Sequence, residues 1–201
     1  MRCVIVLNGE KTYGFELKKD DHIVSCDAAY SFLKEIGVEP NVILGDFDSL
    51  GFVPENAIVY PVEKDMTDGE LAVEYIKDKN FDEVAFICFG GKRDDHFLGN
   101  LSLLVKCSRY CDRCYGVTAF SKITYIGKGL HKFFTGKGKT VSLFTFDSCV
   151  IGSGKGFGYP YEDTRLKCDS TLGISNVTTE EEVFLSVTEG SAFFIENHKQ
   201  I

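Results

Sequence analysis

The sequence predicts a two-part protein of the α/β class: an N-terminal α/β domain on a largely parallel sheet, followed by a C-terminal all-β sandwich domain. Up to about residue 120, short apolar runs alternate with stretches of helical period, the rhythm of strands joined by crossover helices. After about residue 122 the helical period disappears, and glycine-punctuated alternating segments take its place. The domains are therefore expected at 1–120 and 121–201, with a boundary near residues 118–125.

In the first part the predicted strands are Cys3–Asn8, Ile23–Cys26, Val42–Gly45, Ala57–Tyr60, Glu83–Phe89 and Gly116–Phe120. Most are short apolar runs bounded by turn residues, which is how strands of a buried parallel sheet read. Between them Ala28, Ala29, Phe32, Leu33 and Ile36 recur at helical spacing. So do Leu71, Ala72, Tyr75 and Ile76, and then Phe97, Leu98, Leu101, Leu104 and Val105. Each stripe is a helix face packed on the sheet. Thr67 and Glu70 form an S/T-x-x-E capping box that opens the Leu71–Lys79 helix. In the second part Val141–Phe146, Val183–Val187 and Ala192–Glu196 are predicted strands, and Glu189-Gly190 predicts a hairpin between the last two.

Composition excludes several classes. With 44% hydrophobic and 26% charged residues, and 20 Gly against 4 Pro, the chain is neither disordered nor fibrous. The run Val84–Phe89 stops far short of the roughly 18 residues a membrane helix needs. No membrane span is expected, and the Met1–Asn8 segment is too short for a signal peptide, so a cytoplasmic location is expected. Residues 1–118 hold 13 Lys+Arg against 21 Asp+Glu, so the whole net charge of −8 lies there. Such a surface repels nucleic acid and favours cations or metal-bridged substrates. The 8 cysteines lie mostly in apolar runs, which predicts free buried thiols. Cys111-Asp-Arg-Cys114 lacks the second ligand pair that a structural zinc site needs.

Three clusters carry chemistry. Gly45-Asp46-Phe47-Asp48-Ser49 follows a predicted strand, at the sheet edge where open α/β folds bind ligands. Two carboxylates one residue apart repel unless a cation sits between them, and hard oxygen ligands suit Mg²⁺ bridging phosphates. Lys64-Asp65-Met66-Thr67-Asp68 opens the next helix and brings Asp65 and Asp68 to the same edge. Asp68 also has a structural reading, as a carboxylate favoured by the helix dipole. Gly90-Gly91-Lys92-Arg93-Asp94-Asp95-His96 joins a strand to a helix. Its glycines allow a phosphate to approach, the helix N-terminus favours the anion, and Arg93 is expected to clamp it; a helix cap with a surface ion pair is the structural alternative. His96 reads as a packed or capping residue. Gly138-Lys139-Thr140 does not complete a Walker loop, because Phe133 stands where that pattern needs glycine.

Taken in order, Asn8-Gly9-Glu10, Ser25-Cys26-Asp27-Ala28-Ala29, Gly45–Ser49, Asp65-Met-Thr-Asp68 and Gly91–His96 with Gly99-Asn100 resemble the thiamin pyrophosphokinase family. The likeness continues through Val141-Ser-Leu-Phe, Gly156-Phe-Gly-Tyr159 and Gly173-Ile-Ser-Asn176. The resemblance implies transfer of a pyrophosphoryl group from ATP to thiamin with Mg²⁺, giving thiamin diphosphate and AMP. It implies Asp46, Asp48 and Asp68 as metal ligands, with Asp65 nearby and Asp27 lining the cleft. Gly91, Lys92 and Asn100 are implied on the nucleotide, Arg93 on the phosphates and Asp95 beside the reacting hydroxyl, where it is expected to act as the proton acceptor. Tyr159, Ser175 and Asn176 are implied against thiamin, at the interface of a homodimer. The chain departs from the family's Gly-Leu-Lys-aromatic-x-Leu at Gly158 and Tyr161. A pyrophosphokinase for another heterocyclic alcohol, such as a pterin, is the second reading. A DxD-type Mg-dependent phosphohydrolase fits less well, because Leu50 stands where that class has Thr or Val. A non-catalytic nucleotide or vitamin binding module is the non-enzyme alternative.

Overall fold

Strand β1 (Arg2–Val6) is buried over its last four residues and lies at the centre of a parallel sheet. The computed structural model describes residues 1–198, and the chain divides into two compact units between Ala119 and Phe120.

In the first unit, β2 (His22–Cys26), β3 (Val42–Gly45) and β4 (Ile58–Val59) extend the sheet on one side of β1. On the other side lie β5 (Glu83–Ile87) and β6 (Cys114–Val117), giving the order β6-β5-β1-β2-β3-β4. Every pairing is parallel, so crossovers must carry the chain back; α1 (Ala29–Glu35), α2 (Asp68–Ile76) and α3 (Asp94–Cys107) make three of them, and loops join β1 to β2 and β3 to β4. Helix α1 buries Ala29, Phe32 and Leu33 in a cluster with Val4, Val6, Ala85 and Ile87 from the sheet. The alternate residues Ile5, Val24 and Phe86 are also buried, which is why these strands read as continuous apolar runs. Strand order reverses between β1 and β5, and ligand crevices open at the carboxyl ends of such a pair.

Predicted and observed strands differ mostly at their ends. The first leaves the ladder at Val6, and the sixth begins at Cys114, which pairs with Val84, rather than at Gly116. Of the 8 cysteines all are free; Cys168 is exposed and the others are buried. Cys114 and Cys111 each donate their thiol to a backbone carbonyl, of Leu104 at 3.5 Å and Arg113 at 3.6 Å.

The second unit is a sandwich of two antiparallel sheets. One has the order β12 (Asn176–Val177), β9 (Thr140–Phe144), β14 (Ala192–Asn197), β7 (Ser121–Ile126). The other has β11 (Tyr161–Lys167), β10 (Ser148–Lys155), β13 (Glu182–Gly190), β8 (Gly129–Phe134). Both contribute to one core, in which Phe194 stacks on Phe133 at 4.1 Å and meets Phe157 edge-on. The hairpin predicted at Glu189-Gly190 does not form. Strand β13 pairs with β10 and β8, whereas β14 pairs with β7 and β9, so the turn carries the chain from one sheet to the other. Gly190 adopts φ 68°, and its closeness to the Ser148 carbonyl leaves no room for a side chain. Local turn chemistry reports a reversal, and the apolar faces of both strands then pull them onto opposite layers of one core.

Candidate active site

A cleft of about 420 Å³ opens at the carboxyl ends of β1, β2, β3 and β5. Its floor is set by close backbone approach. A Cβ on Gly9 would overlap the Cys88 carbonyl oxygen and come within 2.6 Å of that of Gly90, so only glycine lets the β1 and β5 loops meet. Glu10 then donates its N–H to Gly90 O at 2.7 Å. Asp27, Phe47, Cys88 and Lys92, all at these strand ends, have positive φ of 47°, 60°, 54° and 58°. Non-glycine residues enter that region at a cost of about 1–2 kcal/mol each, and such strain concentrates at functional sites.

The acidic side is built from two turns. Phe47 is 3% exposed and anchors its turn in the core, leaving Asp46 and Asp48 on either side of it free of the core. Asp27 is 5% exposed, held by its N–H to Leu44 O at 2.8 Å, and one of its carboxylate oxygens has no hydrogen-bond partner. Each of Asp27, Asp46 and Asp48 offers an oxygen within 4.8 Å of the others, an all-oxygen set suited to a hard divalent cation. Lys64 lies against this group and forms ion pairs with Asp46 and, at 3.2 Å, with Asp68. The two carboxylates respond in opposite directions. Lys64 holds Asp46 below the usual carboxylate range, while burial pushes Asp68 above it.

Thr67 caps α2, its hydroxyl accepting the Glu70 N–H at 3.2 Å; this is the first half of the predicted capping box, the Glu70 carboxylate pairing with Lys106 at 3.0 Å instead. The turn before it delivers Lys64 and Asp68, four residues apart, to the cleft, whereas Asp65 is exposed and absent from the lining. Asp68 is likewise not in the close carboxylate group, a place that Asp27 takes. The basic side is the β5–α3 loop. Gly91, Lys92 and Arg93 line the cleft; the Arg93 side chain makes no cap at the start of α3, where Asp95 Oδ1 accepts the His96 N–H at 2.9 Å. Arg93 grips Asp95 with two bonds, Nε to Oδ1 at 3.0 Å and Nη2 to Oδ2 at 2.6 Å, both residues well exposed. That guanidinium holds Asp95 down at about 2. Asp95 lines a neighbouring cleft of about 370 Å³ with Thr67, Glu70, His96 and Lys106. Asn100 spends its amide on the Phe89 carbonyl at 2.7 Å, bracing the end of β5.

In the second unit Tyr159 is 72% exposed and Ser175 is exposed at φ 63°. Asn176 is buried and brackets Tyr159, accepting its N–H at 3.0 Å and donating to its carbonyl at 2.7 Å. Its role in the fold is to fix the backbone that presents Tyr159. Tyr161 is 5% exposed and packs edge-on against Phe157 at 5.2 Å, so this departure from the family pattern is a core substitution. Gly158 is exposed, and a Cβ there would meet its nearest neighbour, Val177 O, at an ordinary 3.4 Å. Gly158→Lys is therefore expected to leave thermal stability within about 0.5 kcal/mol, checked by denaturant unfolding.

Clustered carboxylates facing a glycine-rich basic loop across a strand-order switch suit chemistry on a polyphosphate, which places the protein among enzymes acting on the phosphate chain of a nucleotide. Two profiles narrow the class: the thiamin pyrophosphokinase catalytic domain matches residues 14–115, and the thiamin pyrophosphokinase vitamin B1 binding domain matches residues 130–191. The chain belongs to the thiamin pyrophosphokinase family. Thiamine pyrophosphokinase of Bacillus subtilis (strain 168) is 29% identical over 197 residues, spanning 88% of each chain. The solved structure of the Bacillus subtilis thiamine pyrophosphokinase has a TM-score of 0.87 at 24% identity, covering 100% of each chain. That of thiamin pyrophosphokinase from Geobacillus thermodenitrificans gives 0.86 at 25%, covering 100% of this chain and 99% of the other. Among the described residues no helix is long and apolar enough to cross a membrane.

Sequence reasoning singled out the acids and the basic loop but passed over Lys64. Lys64 lies before the N-cap of α2, outside any helical period, so its one local sign was its place four residues ahead of Asp68.

Proposed function

We propose that this protein is a thiamin pyrophosphokinase, moving the pyrophosphoryl group of ATP to the hydroxyl of thiamin and releasing AMP. The observation that carries the reading is the oxygen cluster of Asp27, Asp46 and Asp48 in one cleft with Gly91, Lys92 and Arg93. The three acids would hold Mg²⁺, with Asp68 beside them, and the metal when bound supplies positive charge to the phosphate oxygens. Phosphoryl-type transfer asks the protein mainly for alignment and charge neutralisation. Lys92 and Arg93 bind the phosphate chain in the cleft they share with the acids, and the start of α3, where the Arg93 side chain makes no cap, favours the anion. Tyr159 and Ser175 present the second unit's surface to thiamin, the cationic ring meeting an aromatic face. The active species is a homodimer with thiamin at the subunit interface, as the family resemblance implies; sedimentation at the mass of a single chain would reject it.

Incubation with thiamin, ATP and Mg²⁺ is expected to give thiamin diphosphate and AMP in equal amounts, and chelation to stop it. ADP or free phosphate without AMP would reject the reading in favour of a kinase or phosphohydrolase, and AMP formed only with a pterin alcohol would move it to the other acceptor. Binding of nucleotide with no turnover would leave only a binding module.

Asp95 stands in a different role from the proton acceptor beside the hydroxyl. Both of its oxygens are taken by Arg93 and it lines the neighbouring cleft rather than the one that holds the acids, so it orients the guanidinium instead. Asp95→Asn is thus expected to keep turnover within about tenfold, with the pH profile unshifted, and Arg93→Met to lose about 10²-fold. A larger loss for Asp95→Asn than for Arg93→Met, with a missing acid limb in the profile, would return Asp95 to the base role.

A further inference from the structure

The cation already seated among the carboxylates is part of the chain. Lys64 is paired with both Asp46 and Asp68, and the three side chains are 13%, 12% and 21% exposed. The lysine takes Oδ2 of Asp46, and Oδ1 accepts the Asp48 N–H at 3.3 Å. Asp46 nevertheless belongs to the oxygen cluster with Asp27 and Asp48, so one carboxylate is claimed both by an ammonium and by the place a divalent cation would take. Two cations sharing it repel strongly in so enclosed a site. The lysine stem is flexible and ends in a compact charge, and it lines the same cleft as Lys92 and Arg93.

We propose that Lys64 is a tethered counter-ion that exchanges with the metal–nucleotide complex. It neutralises Asp46 and Asp68 while the cleft awaits substrate, releases Asp46 to the divalent cation, and passes its ammonium to the phosphate chain that the cation brings. The inference rests on the reading of this cleft as a metal and polyphosphate site. It differs from a structural salt bridge in the signs it predicts. A structural bridge, once broken, loosens the site for every ligand. A counter-ion, once removed, leaves carboxylates that bind metal more tightly and a cleft that binds nucleotide less tightly.

The test is Mn²⁺ binding to the full-length protein without nucleotide, by electron paramagnetic resonance, for the parent and for Lys64→Met. Lys64→Met is expected to bind Mn²⁺ about tenfold tighter and to bind α,β-methylene-ATP with Mg²⁺ about tenfold weaker. Its melting temperature in EDTA is expected to fall and to recover on adding Mn²⁺. Lys64→Gln, which keeps a donor without the charge, is expected to follow Lys64→Met, and Lys64→Arg to keep the parent's melting temperature in EDTA. Unchanged or weaker Mn²⁺ binding in both uncharged variants, with the parent binding Mn²⁺ normally, would overturn the exchange and leave the metal-site reading standing. A parent that binds no Mn²⁺ would remove the metal-site reading itself.

Discussion

Replacing Asp46 by Asn is expected to lower formation of thiamin diphosphate and AMP by about 10²–10³-fold. The substitution keeps the side chain's size but removes a charge from the oxygen cluster and from the pair with Lys64. The loss should fall on kcat, because neutralising phosphate charge matters most where that charge shifts in the transition state. Turnover measured at saturating ATP and Mg²⁺, with Mn²⁺ affinity measured in parallel, checks it. Asp65→Asn serves as the contrast: the residue is exposed and outside the cleft, so turnover should stay within about threefold. Equal losses at the two positions would mean that general acidity of the surface, rather than the cluster, supports the reaction.

Gly9→Ala is the second large effect. A methyl group there collides with the Cys88 carbonyl and crowds that of Gly90, both of them backbone atoms that cannot rotate away. The loops after β1 and β5 must then separate, stretching the Glu10 N–H bond to Gly90 O and displacing Gly91, Lys92 and Arg93. Overpacking of this kind costs about 1–3 kcal/mol of stability. ATP affinity is expected to weaken by more than tenfold, since phosphate-binding groups displaced by even about 1 Å lose their alignment. Calorimetric titration with ATP alongside thermal unfolding checks both parts; an unaltered ATP affinity would show that the loop junction does not shape the nucleotide site.

The sequence alone carries the order of strands and helices in the first unit. Buried parallel strands read as plain apolar runs, and the helices between them keep a strict period. It carries the acidic and basic clusters as well, because strand ends in such folds gather ligand-binding residues whatever the details of packing. The capping of α2 by Thr67 is equally local, a matter of one hydroxyl and a backbone N–H three residues on.

What tertiary structure decided are the partnerships between distant segments. Asp27 rather than Asp68 joins Asp46 and Asp48 because β2 and β3 are neighbours, and Gly45 lets Asp27 pack against their ends. Lys64 meets Asp46 across 18 residues of chain, a distance along which no periodicity carries information. The turn at Glu189-Gly190 looks like a hairpin from its residues, yet it changes sheets, since burial of both apolar faces outweighs the preference of a short turn. Residue patterns constrain neighbours along the chain; charge pairing and layer assignment depend on which surfaces the folded core brings within a few ångströms of each other.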